Sequence, residues 1–171
     1  MKSMYQLHPK LDLSFMRVVD VPRSLVWRAW TEADQLQLWF GPKGTTMVHC
    51  HLNLRPGGHF HYGLRMPDGK EMWGLWTFRV IMPLQTLVLV NSFSDAQRGI
   101  TRHPMSATWP LQTLSTTQFS ADGDGCRLAL QWEPLDATAE ERATFDAAHA
   151  GMAQGWGGTM DQLDAYLAGL K

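Results

Sequence analysis

The chain has 171 residues, 44% of them hydrophobic and 18% charged, which supports one folded core, leaves little room for two, and excludes a disordered chain. Fifteen Lys and Arg against sixteen Asp and Glu give a net charge of −1, so no basic excess is available to displace counterions from a nucleic acid. Seven histidines make that charge sensitive to pH, because protonating all of them would carry the net to +6.

Residues 1–10 read as a loose arm and residues 11–171 as a single domain. No stretch approaches the ~18 apolar residues of a membrane span. The first ten residues lack the apolar segment of a secretory signal. The expectation is a cytoplasmic chain with no membrane partner. Cys50 and Cys126 sit in apolar, strand-like runs outside any CxxC, and read as buried, reduced thiols.

Leu11–Val21 is rich in apolar and β-branched residues and predicts a strand. Pro22 then suits the first position of a helix, where its missing N–H costs nothing, and Leu25, Val26, Ala29 and Trp30 follow at helical spacing. Thr31 is placed to cap a second short helix that carries Asp34, Leu36, Trp39 and Phe40 and stops at Gly41-Pro42. Six strands are expected next, at 45–53, 58–66, 70–81, 86–95, 111–121 and 126–133. Turn chemistry separates several of them, at Arg55-Pro56-Gly57-Gly58, Pro67-Asp68-Gly69 and Asp122-Gly123-Asp124-Gly125. Between the fourth and fifth lies a long polar loop, 94–110, with apolar Ile100, Met105 and Trp109, a length that suits a lid.

The last element is a long helix. Thr138-Ala139-Glu140-Glu141 is a capping box, and Phe145, His149, Met152, Trp156, Met160, Leu163, Leu167 and Leu170 form one apolar stripe. Gly151, Gly155, Gly157 and Gly158 interrupt it and predict a kink or a close backbone approach. Strand, two short helices, six hairpin-joined strands and a long helix make an α+β chain. Its curved antiparallel sheet must be covered by the C-terminal helix, an arrangement that often leaves a cavity between the two.

That order, and several phrases, resemble the bacterial activator of heat-shock protein 90 ATPase-like family of the START-like, polyketide cyclase-like superfamily. The phrases are VPRSLVWRAWTEADQLQLWFGPKG (21–44), NLRPGGHFHY (53–62), MWGLWTFRVIMP (72–83), NSFSD (91–95), RHPM (102–105), TWPLQTL (108–114) and QGWGGTMDQLDAYL (154–167). The likeness runs from about residue 11 to 170, and the order of the phrases carries it more than any one of them. It implies a helix-grip fold with a central cavity, and brings no catalytic set or cofactor with it. Val80 stands near a place where the family commonly carries an acidic residue, a change on one strand's surface. The family name derives from a co-chaperone in which such a domain is one part, so chaperone activity here is an analogy of fold.

Three groups of residues are candidates for chemistry. In strands 45–53 and 58–66, His49, His51, His59 and His61 alternate with Cys50, Phe60 and Tyr62. Pairing the apolar faces sets Cys50 opposite Phe60, His49 opposite His61 and His51 opposite His59. Four imidazoles on one patch could ligate zinc or copper. The competing reading, preferred because no supporting shell is visible, is a polar outer face turned to water, with no metal and no cofactor. On the inner face, Phe60, Tyr62, Trp76 and Phe78 should look towards the helix. The 122–125 turn pairs Phe119 with Leu128, Thr117 with Leu130 and Ser115 with Trp132, which turns two hydroxyls inward. With Met152 and Trp156 these residues are the expected lining of a ligand cavity, against the alternative of a solid core. His149, on the helix stripe, is either a satisfied core histidine or a group that orients ligand; Met105 or Trp109 would plug the mouth.

The leading function is a non-enzymatic domain that binds a small hydrophobic molecule between sheet and helix. The alternatives are a protein-interaction or co-chaperone-like module with a chaperone or other protein as partner, and a cyclase- or hydrolase-type enzyme. No nucleotide loop, GxSxG or HExxH is present to favour the last.

Overall fold

The computed structural model describes residues 13–170. The expected arm at 1–10 and the start of the first expected strand lie outside them. In chain order the elements are β1 (Leu13–Val19), α1 (Arg23–Thr31), α2 (Ala33–Trp39), β2 (Thr46–Leu52), β3 (His59–Arg65), β4 (Glu71–Met82) and β5 (Thr86–Ser94). There follow β6 (Ile100–Thr101), β7 (Gln112–Asp122), β8 (Gly125–Leu135), α3 (Ala139–Ala147) and α4 (His149–Ala168). One antiparallel sheet runs β1-β8-β7-β5-β4-β3-β2, with β6 paired to β5 off that path. The short β6 was not legible, because two residues carry no period. Among the described residues no helix is long and apolar enough to cross a membrane.

Helix α1 buries Val26, Trp27, Ala29 and Trp30, as its spacing requires. Pro22 sits one position before the helix and its carbonyl accepts from the Leu25 and Val26 amides. Thr31 does not cap α2. It ends α1, and its hydroxyl donates back to the Trp27 carbonyl at 2.7 Å, the bond a threonine finds four residues along a helix. Glu32 takes the cap position without a side-chain cap bond. The Trp39 indole N–H donates to the Ala29 carbonyl at 2.9 Å and locks the two short helices together.

Hairpin β7–β8 has the expected register, with Ser115 across from Trp132, Thr117 from Leu130 and Phe119 from Leu128. Hairpin β2–β3 is displaced from expectation by two residues: Cys50 faces Tyr62, His51 faces His61, and a bulge falls between Met47 and His49. The 53–58 loop is wider than a tight turn because it pairs elsewhere. The Gly57 amide donates to the Phe78 carbonyl and the Phe78 amide to that of Gly58. A two-residue displacement preserves facing, so the histidines remain opposite in face to Cys50 and Phe60.

The C-terminal helix is two helices. Thr138 and Glu141 close the expected capping box, but the chain breaks at Ala148, not in the glycine run. Helix α4 passes straight through Gly151, Gly155, Gly157 and Gly158, and no heavy atom stands within 4 Å of where a Cβ would be on any of them. The close approach expected there is absent, and the interruption of the helix falls at Ala148 instead. The break has a packing cause. Phe145 is fully buried and fixes α3 on β8, whereas Met160, Leu163 and Leu167 bury α4 towards β1 and α2. Arg17 of β1 adds ion pairs to Asp161 and Asp164 on α4.

Candidate functional site

A cavity of about 280 Å³ opens between the inner face of the sheet and α4. The sheet supplies Tyr62 and Leu64 from β3, Met72 and Gly74 from β4, Asn91 and Phe93 from β5, and Thr113 from β7. Phe40, Gly41 and Pro42 close one side. Trp109, Pro110 and Leu111, at the end of the long loop, close another. Helix α4 contributes Met152, Gly155, Trp156 and Thr159. Gly155 faces open space, so the glycine that weakens the helix pattern is one that keeps the cavity clear.

Tyr62 is the most constrained of these residues. Its ring packs on Phe40 and on Phe60, with centroids 4.9 Å away in each case. Its hydroxyl lies directly over Gly74, where any Cβ would collide with it. The residue is 8% exposed, yet its hydroxyl has no hydrogen-bond partner among the described residues. Burial pushes its pKa well above that of an ordinary tyrosine, so the phenol stays protonated. Asn91 projects from the same face as Leu87, Leu89 and Phe93, and its carboxamide is likewise unpartnered among the described residues. Thr113 donates to the Asn91 carbonyl at 3.5 Å, and Thr159 to that of Gly155 at 3.4 Å.

Of the residues expected to line the cavity, Tyr62, Met152 and Trp156 do, and Trp109 forms part of the rim. Phe60 and Phe78 are sealed in the core at 0% and 1% exposure. Trp76, Ser115 and Thr117 border a separate void of about 10 Å³, behind Trp156 and beside Trp30 and Trp132. His149 stands off the cavity, with its ring edge-on to Phe145 at 5.3 Å and Nε2 3.6 Å from an Asp146 oxygen, beyond hydrogen-bond reach.

Met105 is 88% exposed and plugs nothing. The loop that carries it is strapped to α3. The Arg102 guanidinium donates to the Trp109 carbonyl at 3.2 Å and to Glu141 at 2.8 Å, and the Thr144 hydroxyl meets that of Thr108 at 2.8 Å. Trp109 itself lies against Phe145 at 5.7 Å.

The histidines occupy the other face of the sheet. His49 and His61 rings lie 4.8 Å apart, and both contact Trp73. That face is not simply turned to water: His61 is 2% exposed and its Nε2 is 2.9 Å from the Asp95 carbonyl. Trp73 also covers Gly63, 2.9 Å from where a Cβ would stand. Among the described residues no group of three or more His, Cys, Asp or Glu is arranged to hold a metal ion. Cys126 is buried but Cys50 only partly so, and burial pushes both thiols up, away from the reactive thiolate.

Sequence reasoning missed Asn91, Thr113, Gly74 and Phe40. The signal for Asn91 was present: it is the one amide in the inward-facing series Leu87, Leu89, Asn91, Phe93. Gly74 had no such signal, because its role depends on the phenol of another strand.

The sequence model of the family described as Activator of Hsp90 ATPase homolog 1-like protein matches residues 20–168. No curated protein matches the chain significantly. Among solved structures, protein NE0264 from Nitrosomonas europaea is 25% identical, covering 95% of this chain and 97% of its own, with a TM-score of 0.74. A protein from Arthrobacter aurescens is also 25% identical, over 92% and 86% of the two chains, with a TM-score of 0.74. A Rhodobacter sphaeroides protein at 23% identity covers 97% and 99%, with a TM-score of 0.75. The helix-grip fold is common to all of them.

Proposed function

The chain belongs to the Activator of Hsp90 ATPase homolog 1-like family, and from that footing we propose that it binds a small, mainly apolar molecule in the cavity against α4 without converting it. One observation carries this reading: an open cavity of about 280 Å³ is walled by Phe40, Leu64, Met72, Phe93, Trp109 and Trp156, with only a few polar groups among them. Apolar walls with a few fixed polar atoms are what small-molecule sites require. Proton-transfer chemistry, as in a cyclase or hydrolase, would need paired titratable groups within reach of a substrate. Tyr62 is the one ionisable side chain in the described lining, and burial keeps it protonated. The two unpaired cysteines fit a reducing compartment such as the cytoplasm.

A second reading, a protein-interaction or co-chaperone-like module, rests on the family description and on edge strand β1. Met16 and Val18 there are 60% and 54% exposed on the outer face. Native mass spectrometry of protein purified from its own host separates the two. A small mass retained in the folded protein and released on denaturation is expected. Co-purification of a stoichiometric protein partner, with no retained mass and no uptake of apolar probes, would overturn the ligand-binding reading in favour of the second.

A further inference from the structure

The cavity lining has a chemical bias that goes past its apolar character. No Asp, Glu, Lys, Arg or His contributes to the described lining. An ionised headgroup drawn inside would lose its hydration and find no countercharge to offset that loss. Fatty-acid carboxylates, phosphates and ammonium groups are therefore poorly matched to the interior.

Two polar groups inside are nevertheless idle. The Tyr62 hydroxyl is in a residue more than nine-tenths buried, lines the cavity, and has no partner among the described residues. The hydroxyl is not among the sealed unpartnered atoms of the described residues, so its oxygen faces the cavity space, where an entering acceptor can take its proton in a hydrogen bond. Its position is fixed: Phe40 and Phe60 hold the ring, and the hydroxyl lies across Gly74. Gly74 pairs with Phe93 on β5, and Asn91 is two residues along that strand on the same face. The register thus puts Asn91 on the same cavity wall as the phenol, one strand beyond Gly74 and opposite Trp76.

We propose that the cavity selects an uncharged, compact apolar molecule that bears a carbonyl-type oxygen, and that this oxygen accepts a hydrogen bond from Tyr62 with Asn91 as its second donor. The inference rests on the ligand-binding reading above and specifies what that site takes. Tyr62 is protonated at any ordinary pH, so it can only offer its proton to an acceptor or receive one from a donor. Asn91 can donate to the same oxygen through its amide nitrogen. The glycine at 74 fits the same account, since it is what lets a rigid phenol reach this point.

Three probes of nearly equal shape test it: 2-acetylnaphthalene, 2-ethylnaphthalene and 2-naphthoate, with affinities measured by equilibrium dialysis at pH 7. The acetyl compound should bind about tenfold tighter than the ethyl compound, the worth of one good hydrogen bond. It should bind about a hundredfold tighter than the ionised naphthoate. In Tyr62→Phe the acetyl-over-ethyl preference should largely vanish while affinity for the ethyl compound is retained, which also serves as the check that the variant is folded. Asn91→Leu should reduce the same preference. Naphthoate binding as tightly as the ketone, or an unchanged preference in Tyr62→Phe, would overturn this inference and leave the ligand-binding reading standing. Failure of all three probes to bind would overturn both.

Discussion

Trp156 of α4 stacks on Trp132 of β8, with ring centroids 4.7 Å apart and planes 27° from parallel, and Trp156 forms the partition between the cavity and the small void behind it. Trp156 is only partly buried, since one side of it faces the cavity. Trp156→Ala should therefore cost less than a fully buried tryptophan would, about 2 kcal/mol in urea unfolding, through the lost stack and part of its buried area. It should also merge the two spaces, so that probes larger than those taken by the native protein are bound. A loss near 5 kcal/mol would mean that the stack, not the cavity wall, is its main role.

Acidification should destabilise the protein before its carboxylates titrate. His49 is held below the ordinary imidazole value of 6.5 by burial first, then by His61, His51 and Arg98. His59 is lowered by burial and by Arg98, Arg55, His51 and His61, and His103 by burial alone. A lowered imidazole pKa means that the unfolded chain takes up protons at a pH where the folded chain does not. Stability is thus complete above about 6.5 and falls as pH drops through the folded values. Urea midpoints should decrease between about pH 7 and about pH 5, and His49→Gln should flatten that slope. A midpoint that rises on acidification would contradict the assigned directions.

The β7–β8 register and the facing of the histidines were legible because strand parity is a local property: a four-residue turn and period-two alternation fix both. The β2–β3 pairing went wrong by two residues because Gly57 and Gly58 bond to Phe78 of β4, a third strand that pairwise reasoning never consults. In the site, Tyr62, Met152 and Trp156 could be found because each lies on an apolar stripe. Ser115 and Thr117 were placed on the correct face, yet they border the small void, since facing inward does not say how deep in the sheet a residue sits. Likewise the apolar stripe ran on through Ala148, where two separate packing targets, and no sequence punctuation, end one helix and begin the next.

The capping box is a local feature with a measurable weight. The Glu141 amide donates to the Thr138 hydroxyl at 3.1 Å, and the Thr138 amide to the Glu141 carboxylate at 3.3 Å. Thr138→Ala should cost about 1 kcal/mol. Because α3 is also held by Phe145, the loss should appear as a lower urea midpoint for the whole domain, with no separate unfolding step. An early transition confined to residues 139–147 would show instead that α3 is an independent unit.

Gly74→Ala tests the most specific contact in the cavity. The new Cβ would collide with the Tyr62 phenol, which cannot swing away without leaving its packing on Phe40 and Phe60. The variant should lose about 1–3 kcal/mol as overpacking. Removing the phenol in the double variant Gly74→Ala, Tyr62→Val should recover part of that loss relative to the sum of the single changes. Additive losses would mean that the two positions do not meet.

The loop 94–110 is long enough for a lid, but its observed contacts are those of a strap. Ile100 and Thr101 pair with β5, Arg102 bridges the Trp109 carbonyl and Glu141, and Thr108 meets Thr144. Its tip, around the 88% exposed Met105, is free of the core, as is the exposed turn at 96–98. Trp109 is the one apolar member of the rim held at both ends, by Phe145 on its ring and by Arg102 on its carbonyl. Ligand entry should then require release of Arg102, a short local opening and not a swing of the whole loop. In hydrogen exchange, amides at 105–108 should exchange fast in the free protein, those at 100–102 and 109 slowly, and those at 112–121 most slowly. Arg102→Gln should speed exchange at 102 and 109 and raise the association rate of a neutral probe, with little change in β7. If that variant exchanges faster there but takes up the probe at the native rate, the path into the cavity does not run past Trp109. Entry between Gly41-Pro42 and α4 would then be the remaining route.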